Sequence, residues 1–216
     1  MITLTIDSQF FKPRAYLAIE FREYLQGVTR VLEVGCGYGC SLFPLLDAFP
    51  AISTYFATDF CLQALRILEE NERYVLSRVV THQWDVTTSA PAALIEASPS
   101  VVLAIFALSA VHPSLHELCF ENIANVLAQD GHLLFRDYGI TDATMYRHAV
   151  CYENCLLERS DGTLAYYFSL EYVAALLRKT ARFRVVELSY ATVITRNRKT
   201  RLSMKRVFVH GVFQKI

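Results

Sequence analysis

Glu33-Val34-Gly35-Cys36-Gly37-Tyr38-Gly39 places three glycines at alternate positions directly after an apolar, β-branched run, Thr29–Val34. A helical pattern, Cys40–Phe49, follows and stops near Pro50. Glycines at a strand-to-helix turn let the chain bend tightly and let a ligand approach the backbone. The spacing is E-x-G-x-G-x-G, whereas loops that cradle a pyrophosphate read G-x-G-x-x-G. Two acids extend the pattern. Asp59 closes a second strand-like run, Thr54–Thr58, and Asp85 a third, Val79–Trp84. A carboxylate at the second strand end can accept both hydroxyls of a ribose, and the next strand end meets the adenine edge. Either aspartate alone is an ordinary cap or turn residue. Three such sites at three successive strand ends form a nucleoside-binding constellation. The predicted binding set is Glu33, Gly35, Cys36, Gly37, Asp59, Phe60, Asp85, Val86 and Ile105.

The elements that must hold these residues alternate strand and helix, the pattern of an α/β fold with a mostly parallel sheet. Phe60–Glu72 reads as a helix, and Thr87–Ser100 as a loop with a short helix. Val101–Phe106 is an uninterrupted apolar run, as expected of a strand buried on both faces. A helix is predicted from Pro113 to about Leu127, with proline in its first turn. Asp130-Gly131 then turns into a fifth strand, Leu133–Arg136. Farther on, Asn154–Glu158 and Leu164–Phe168 flank a hairpin turn, and Ser169 caps a helix over Glu171–Lys179. Val185–Thr195 and Ser203–Phe213 read as two long strands joined by the basic turn Arg196–Arg201. The expected architecture is Rossmann-like: seven strands, mostly parallel, with antiparallel C-terminal strands and an inserted hairpin. One domain is expected over residues 1–216. Residues 1–28 would form a lid or substrate segment, 29–139 the binding core, and 140–216 the hairpin, helix and closing strands.

Composition narrows the class. Of 216 residues, 53% are hydrophobic and 19% charged, which predicts a large core and argues against disorder. The longest mainly apolar run, Val101–Val111, is shorter than the about 20 residues a membrane helix needs. With no secretory signal pattern at residues 1–7, a soluble, cytoplasmic protein is expected, a nuclear or mitochondrial one being left open. The six cysteines include no C-x-x-C pair, so no metal site is expected. Net charge is zero, but unevenly placed. Val79–Phe135 holds no Lys or Arg, while residues 178–206 hold ten against a single acid, Glu187. A basic C-terminal region suits phosphates, or is simply a solvated face.

The glycine loop resembles motif I of the class I methyltransferases, whose cofactor is S-adenosylmethionine (SAM). SAM carries no phosphate, so its loop must fit an amino-acid moiety and a sulfonium. The chain lacks the Asp/Asn-Pro-Pro-aromatic motif of enzymes that methylate exocyclic amines. In its place stands Ile105-Phe106-Ala107-Leu108-Ser109-Ala110-Val111-His112-Pro113. That stretch, together with Leu134-Phe135-Arg136-Asp137-Tyr138-Gly139, Glu153-Asn154, Asp161-Gly162-Thr163 and Arg206-Val207-Phe208, resembles the tRNA 3-methylcytidine methyltransferases, the methyltransferase-like 2, 6 and 8 group. Phe10-Phe11-Lys12-Pro13-Arg14-Ala15-Tyr16-Leu17 is similar to that family's F-F-K-D-R-x-W/Y-L, with Pro13 in place of its Asp.

The resemblance implies methylation of cytidine N3 in the anticodon loop of a tRNA, with S-adenosylhomocysteine as the second product. It implies tRNA as partner, with seryl-tRNA synthetase or another tRNA-binding protein beside it, and no membrane. On this reading Asp137 faces the cationic product, Tyr138 stacks on the base, and Arg136 holds a phosphate or Asp137. Arg136-Asp137 as a structural ion pair is the plainer alternative. His112 is a substrate ligand or a helix cap. Lys12, Arg14, Ser109, Arg196, Arg198, Lys199 and Arg206 are the expected substrate contacts. Residues 1–9 contain neither Trp nor Tyr, which the family carries in an upstream segment over the cofactor. The alternatives are a SAM enzyme acting on a small molecule or protein, and a catalytically weakened regulatory subunit.

Overall fold

A computed structural model of the chain describes residues 13–146, 151–152, 155–159, 162–196 and 203–216. In chain order the elements are α1 (Leu17–Glu20), α2 (Arg22–Leu25), β1 (Arg30–Val34), α3 (Leu42–Ala48), β2 (Thr54–Asp59), α4 (Leu62–Glu69) and β3 (Val79–Gln83). Then come α5 (Ala92–Ala97), β4 (Val101–Ile105), two 3-10 turns (Leu108–Ala110 and Pro113–Leu115), α6 (His116–Val126) and β5 (His132–Tyr138). The rest is β6 (Cys151–Tyr152), β7 (Leu156–Glu158), β8 (Leu164–Tyr166), α7 (Leu170–Thr180), β9 (Phe183–Arg196) and β10 (Ser203–Lys215).

The main sheet runs β3-β2-β1-β4-β5-β10-β9. Its first five strands are parallel, and β10 and β9 close it antiparallel. Alternate residues along the strands feed two cores: Leu32, Val102 and Phe135 pack on one face, Val31, Leu103 and Leu134 on the other. Strand order reverses at β1, which pairs with β2 on one side and β4 on the other. Helices on opposite faces diverge there and open a crevice at the carboxyl ends, where ligands of such sheets bind.

The structure departs from the expected elements in four places. Leu17, Phe21 and Leu25 recur every fourth residue and are fully buried, so the part of residues 1–28 that is described packs into the core as two short helices. The helix expected from Pro113 begins as a 3-10 turn, and α-helical bonding starts at His116. Strand β5 continues to Tyr138, because β10 pairs with it there through Val209↔Asp137 and Phe208↔Tyr138. The inserted hairpin gains a third strand, β6, and docks on the main sheet through Phe168 N–H to Tyr138 O at 2.8 Å. Residues 203–207 of β10 pair with β9 alone, so the hairpin arm runs on past the carboxyl end of β5.

Candidate functional site

The crevice contains a cavity of about 390 Å³. Gly35, Asp59, Phe60, Asp85 and Val86 line it, as do Trp84, Phe106, Ala107 and His112. Asp59 does more than end a strand. Its Oδ2 accepts from Gly37 N–H and its Oδ1 from Cys61 N–H, both at 2.9 Å, so one carboxylate ties the glycine loop to the start of α4. Asp85 Oδ1 accepts from the backbone N–H of Thr87 at 2.9 Å and from its hydroxyl at 2.7 Å. Gly35 has φ +67°, and a Cβ there would lie 2.8 Å from Ala107 Cβ. The loop and the segment after β4 therefore meet with no space for a side chain.

Glu33 lies beneath the loop. Its Oε2 accepts from Tyr55 O–H at 2.8 Å, while among the described residues Oε1 has no hydrogen-bond partner. Burial pushes its carboxyl up to about 7, against the pull of the nearby Arg14 guanidinium. Arg14 Nη1 donates to Ser41 Oγ and to Ile105 O, each at 3.2 Å.

The cavity wall after β4 is braced from behind. Asp137, fully buried, accepts from Ser109 N–H and from Tyr138 N–H, each at 2.9 Å, and burial raises its carboxyl to about 6. His116 Nε2 reaches the carbonyls of Leu108 at 3.0 Å and Val111 at 3.1 Å, and Nδ1 lies 3.0 Å from Tyr172 Oη. The neutral tautomer with its proton on Nε2 donates to the two carbonyls, and Nδ1 faces the Tyr172 hydroxyl, which also reaches Pro113 O at 3.2 Å. Burial lowers this imidazole from 6.5 to about 4. Its unfolded form therefore binds a proton that its folded form refuses, and stability drains as pH falls from about 6.5 to about 4. The raised carboxyls of Glu33 and Asp137 act in the opposite sense over that range, so the comparison must be with a variant. The stability advantage of the wild type over His116→Gln is expected to shrink by up to about 1.4 kcal/mol per pH unit in that window. Urea titrations at several pH values measure it, and a constant difference would refute it.

Beyond the wall, arginines and aromatic rings interleave. Tyr138 lies 5.2 Å from Phe106, 5.7 Å from Tyr167 and 6.3 Å from Phe208 between ring centroids. The guanidinium of Arg159 sits 5.5 Å over the Tyr138 ring, and that of Arg206 sits 5.9 Å over it and 5.1 Å over Phe208. Arg14 is 5.1 Å over Phe106. Arg206 is held through its Nε by the buried Asp142 carboxylate, at 2.8 Å. Stacking platforms beside cations are what single-stranded nucleic acid requires.

A family model described as a methyltransferase domain matches residues 32–133. The tRNA N(3)-cytidine methyltransferase METTL6 of Homo sapiens is 37% identical, over 97% of this chain and 76% of its own length. The tRNA N(3)-methylcytidine methyltransferase trm141 of Schizosaccharomyces pombe is 32% identical, over 97% of this chain and 88% of its own. The chain belongs to the tRNA N(3)-cytidine methyltransferase family. Solved structures agree on the fold. A SAM-dependent methyltransferase from Anabaena variabilis superposes with a TM-score of 0.72 at 13% identity, covering 92% of this chain and 82% of that one. The N-methyltransferase NodS from Bradyrhizobium japonicum, in complex with S-adenosyl-l-homocysteine, gives 0.59 at 18% identity, covering 92% and 83%.

The cleft of this methyltransferase fits SAM. Gly37 has φ +54° with nothing within 4 Å of where a Cβ would stand. The carboxylates at both strand ends, Asp59 and Asp85, line the cavity and supply acceptors for a ribose and an adenine edge.

Several site residues expected from sequence lie elsewhere. Ile105 is buried in the core, and because the chain turns sharply at Phe106 the cavity is lined instead by Phe106 and Ala107. Cys36 is buried, its Sγ donating to Gly37 O at 3.5 Å. Ser109 is buried against Asp137, away from any substrate surface. Asp137 itself is covered on all sides and cannot touch a base. Arg136 is 2% exposed and its Nη1 is paired with Glu20 at 2.5 Å, so no phosphate reaches it. The plainer ion-pair reading holds for Arg136, with Glu20 and not Asp137 as partner. Arg14 stands at the glycine loop. His112 lines the cavity while capping the 3-10 turn, accepting from Ser114 N–H at 3.3 Å. Tyr138 and Arg206 belong to the arginine–aromatic face, and Arg196 ends β9, exposed. Lys12, Arg198 and Lys199, and the resemblance at Phe10, Phe11, Glu153, Asn154 and Asp161, lie outside the described residues.

Sequence reasoning assigned no role to Phe106, Arg159, Tyr167 or Phe208. Each looks locally like a strand end or hairpin residue. Only the pairing of β5 with β10, and the docking of the small sheet, bring them together.

Proposed function

We propose that this methyltransferase methylates N3 of a cytidine in the anticodon loop of tRNA, releasing S-adenosylhomocysteine. The observation that carries the reading is the arginine–aromatic face directly adjoining the SAM cleft through Phe106. When bound, SAM supplies an electrophilic methyl group. Asp59 and Asp85 are the residues to hold its ribose and adenine, and Arg14, beside the glycine loop, its carboxylate.

Cytosine N3 carries its lone pair in the plane of the ring, so no strong general base is needed. The chain's work is to unstack the base and hold N3 in line, catalysis by proximity and orientation. Tyr138 and Phe208 offer stacking surfaces, and Arg159 and Arg206 meet phosphates. Asp137 is a positioning residue: through Ser109 and Tyr138 it fixes both the cleft wall and the stacking ring. A net charge of zero gives this chain modest tRNA affinity of its own, which a partner such as seryl-tRNA synthetase would supplement.

Incubation with methyl-labelled SAM and bulk tRNA, with and without seryl-tRNA synthetase, tests the proposal. Label is expected in the tRNA. Label in protein or small molecules without tRNA would contradict it.

A further inference from the structure

We infer that the Phe106 ring is the surface on which the target cytosine stacks next to the methyl donor, which makes Phe106 a specificity-determining residue of the reaction. The inference rests on the proposed methylation of cytidine. Among the described residues, Phe106 alone belongs both to the cavity lining and to the arginine–aromatic cluster. A methyl group leaving the cleft for a base on that face must pass this residue.

The backbone agrees. Phe106 has φ +55°, a left-handed conformation that bulky side chains rarely adopt. Its N–H donates to Arg136 O at 2.7 Å, which pins the turn against β5. Strain of this kind persists where surrounding structure enforces it, and it concentrates at functional sites. The ring packs only partly against the core. Val101–Ile105 are all fully buried, whereas Phe106 is half-buried at the end of the same strand.

Chemistry gives the ring a task. Transfer forms the N3–methyl bond as the sulfur–methyl bond breaks, and the positive charge passes from sulfonium to the base. A π-face beside the base attracts that charge as it develops. Such an interaction is stronger in the transition state than in the ground state, so its loss lowers kcat more than it raises KM.

The test compares Phe106→Leu, Phe106→Gly and Phe106→Tyr with the wild type. Trp84, the single tryptophan of the chain, lines the cleft, so its fluorescence is the readout for S-adenosylhomocysteine binding. Phe106→Leu is expected to lower kcat by about 10- to 100-fold, with KM for tRNA and S-adenosylhomocysteine affinity within about threefold. Phe106→Tyr is expected to keep most of the activity. Phe106→Gly, which suits the left-handed backbone, is expected to melt no lower than Phe106→Leu and to transfer as poorly. Full kcat in Phe106→Leu, recovery in Phe106→Gly, or cofactor affinity falling in step with kcat would each overturn the inference. A stem-loop with fluorescent pyrrolocytidine at each loop cytidine in turn reads stacking without turnover. Wild type is expected to quench one position and Phe106→Leu to leave it bright, while equal quenching overturns the inference. Wild type that methylates no tRNA defeats the proposed function instead.

Discussion

Asp59→Ala is expected to abolish cofactor binding, with S-adenosylhomocysteine affinity reduced at least about 100-fold. The carboxylate accepts from Gly37 and Cys61 N–H, and such charge-assisted bonds contribute about 1.5–3 kcal/mol each. Removing it frees the glycine loop from α4 and deletes the acceptor proposed for the ribose at the same time. Two losses at one site act together, so the effect exceeds that of any other single change in the cleft. Trp84 fluorescence titration measures it. Affinity within threefold of wild type would mean that Asp59 organises neither loop nor ribose.

Glu20→Ala is expected to be the most destabilising surface-accessible change. Arg136 is almost fully buried and Glu20 is its one charged partner among the described residues, while Arg136 Nε already lacks a partner. Deleting the acid leaves a buried guanidinium uncompensated, at a cost of about 3 kcal/mol. In a chain of this size that lowers the melting temperature by about 6–12 °C. Arg136 also lies 5.2 Å under both Tyr16 and Phe208, so the pair fastens α1 to the arginine–aromatic face. Glu20→Ala combined with Arg136→Met removes the orphaned charge and is expected to regain most of the loss. An unchanged melting temperature for Glu20→Ala, or a double variant as unstable as the single one, would contradict this.

The strand-end half of the candidate site was legible in the sequence because it is local. Each of Gly35, Asp59 and Asp85 sits at the end of its own strand, and a parallel sheet brings successive strand ends together by rule. The arginine–aromatic half proposed for substrate was less legible because it depends on pairing at long sequence separation. Tyr138 meets Phe208 through the β5–β10 register and Arg159 through a docked three-stranded sheet. No local pattern encodes either. Arg136 and Asp137 misled for a related reason. The resemblance implied substrate contacts for both, but β5 continues alongside β10 past them, and both side chains are buried, on opposite faces of the sheet. The N-terminal helices carried a readable signal, the i, i+4 spacing of Leu17, Phe21 and Leu25. Their partners, His210 stacked on Phe21 at 4.8 Å and Glu187 bonded to Tyr24 at 2.5 Å, lie far along the chain.

The most direct measurement is mass spectrometry of nucleosides from tRNA treated with this protein and SAM, with Asp59→Ala as control. The expected result is 3-methylcytidine, confined to an anticodon-loop fragment and absent with Asp59→Ala. Methyl on any other nucleoside, or none while S-adenosylhomocysteine still quenches Trp84, would contradict methylation of cytidine N3 by this fold.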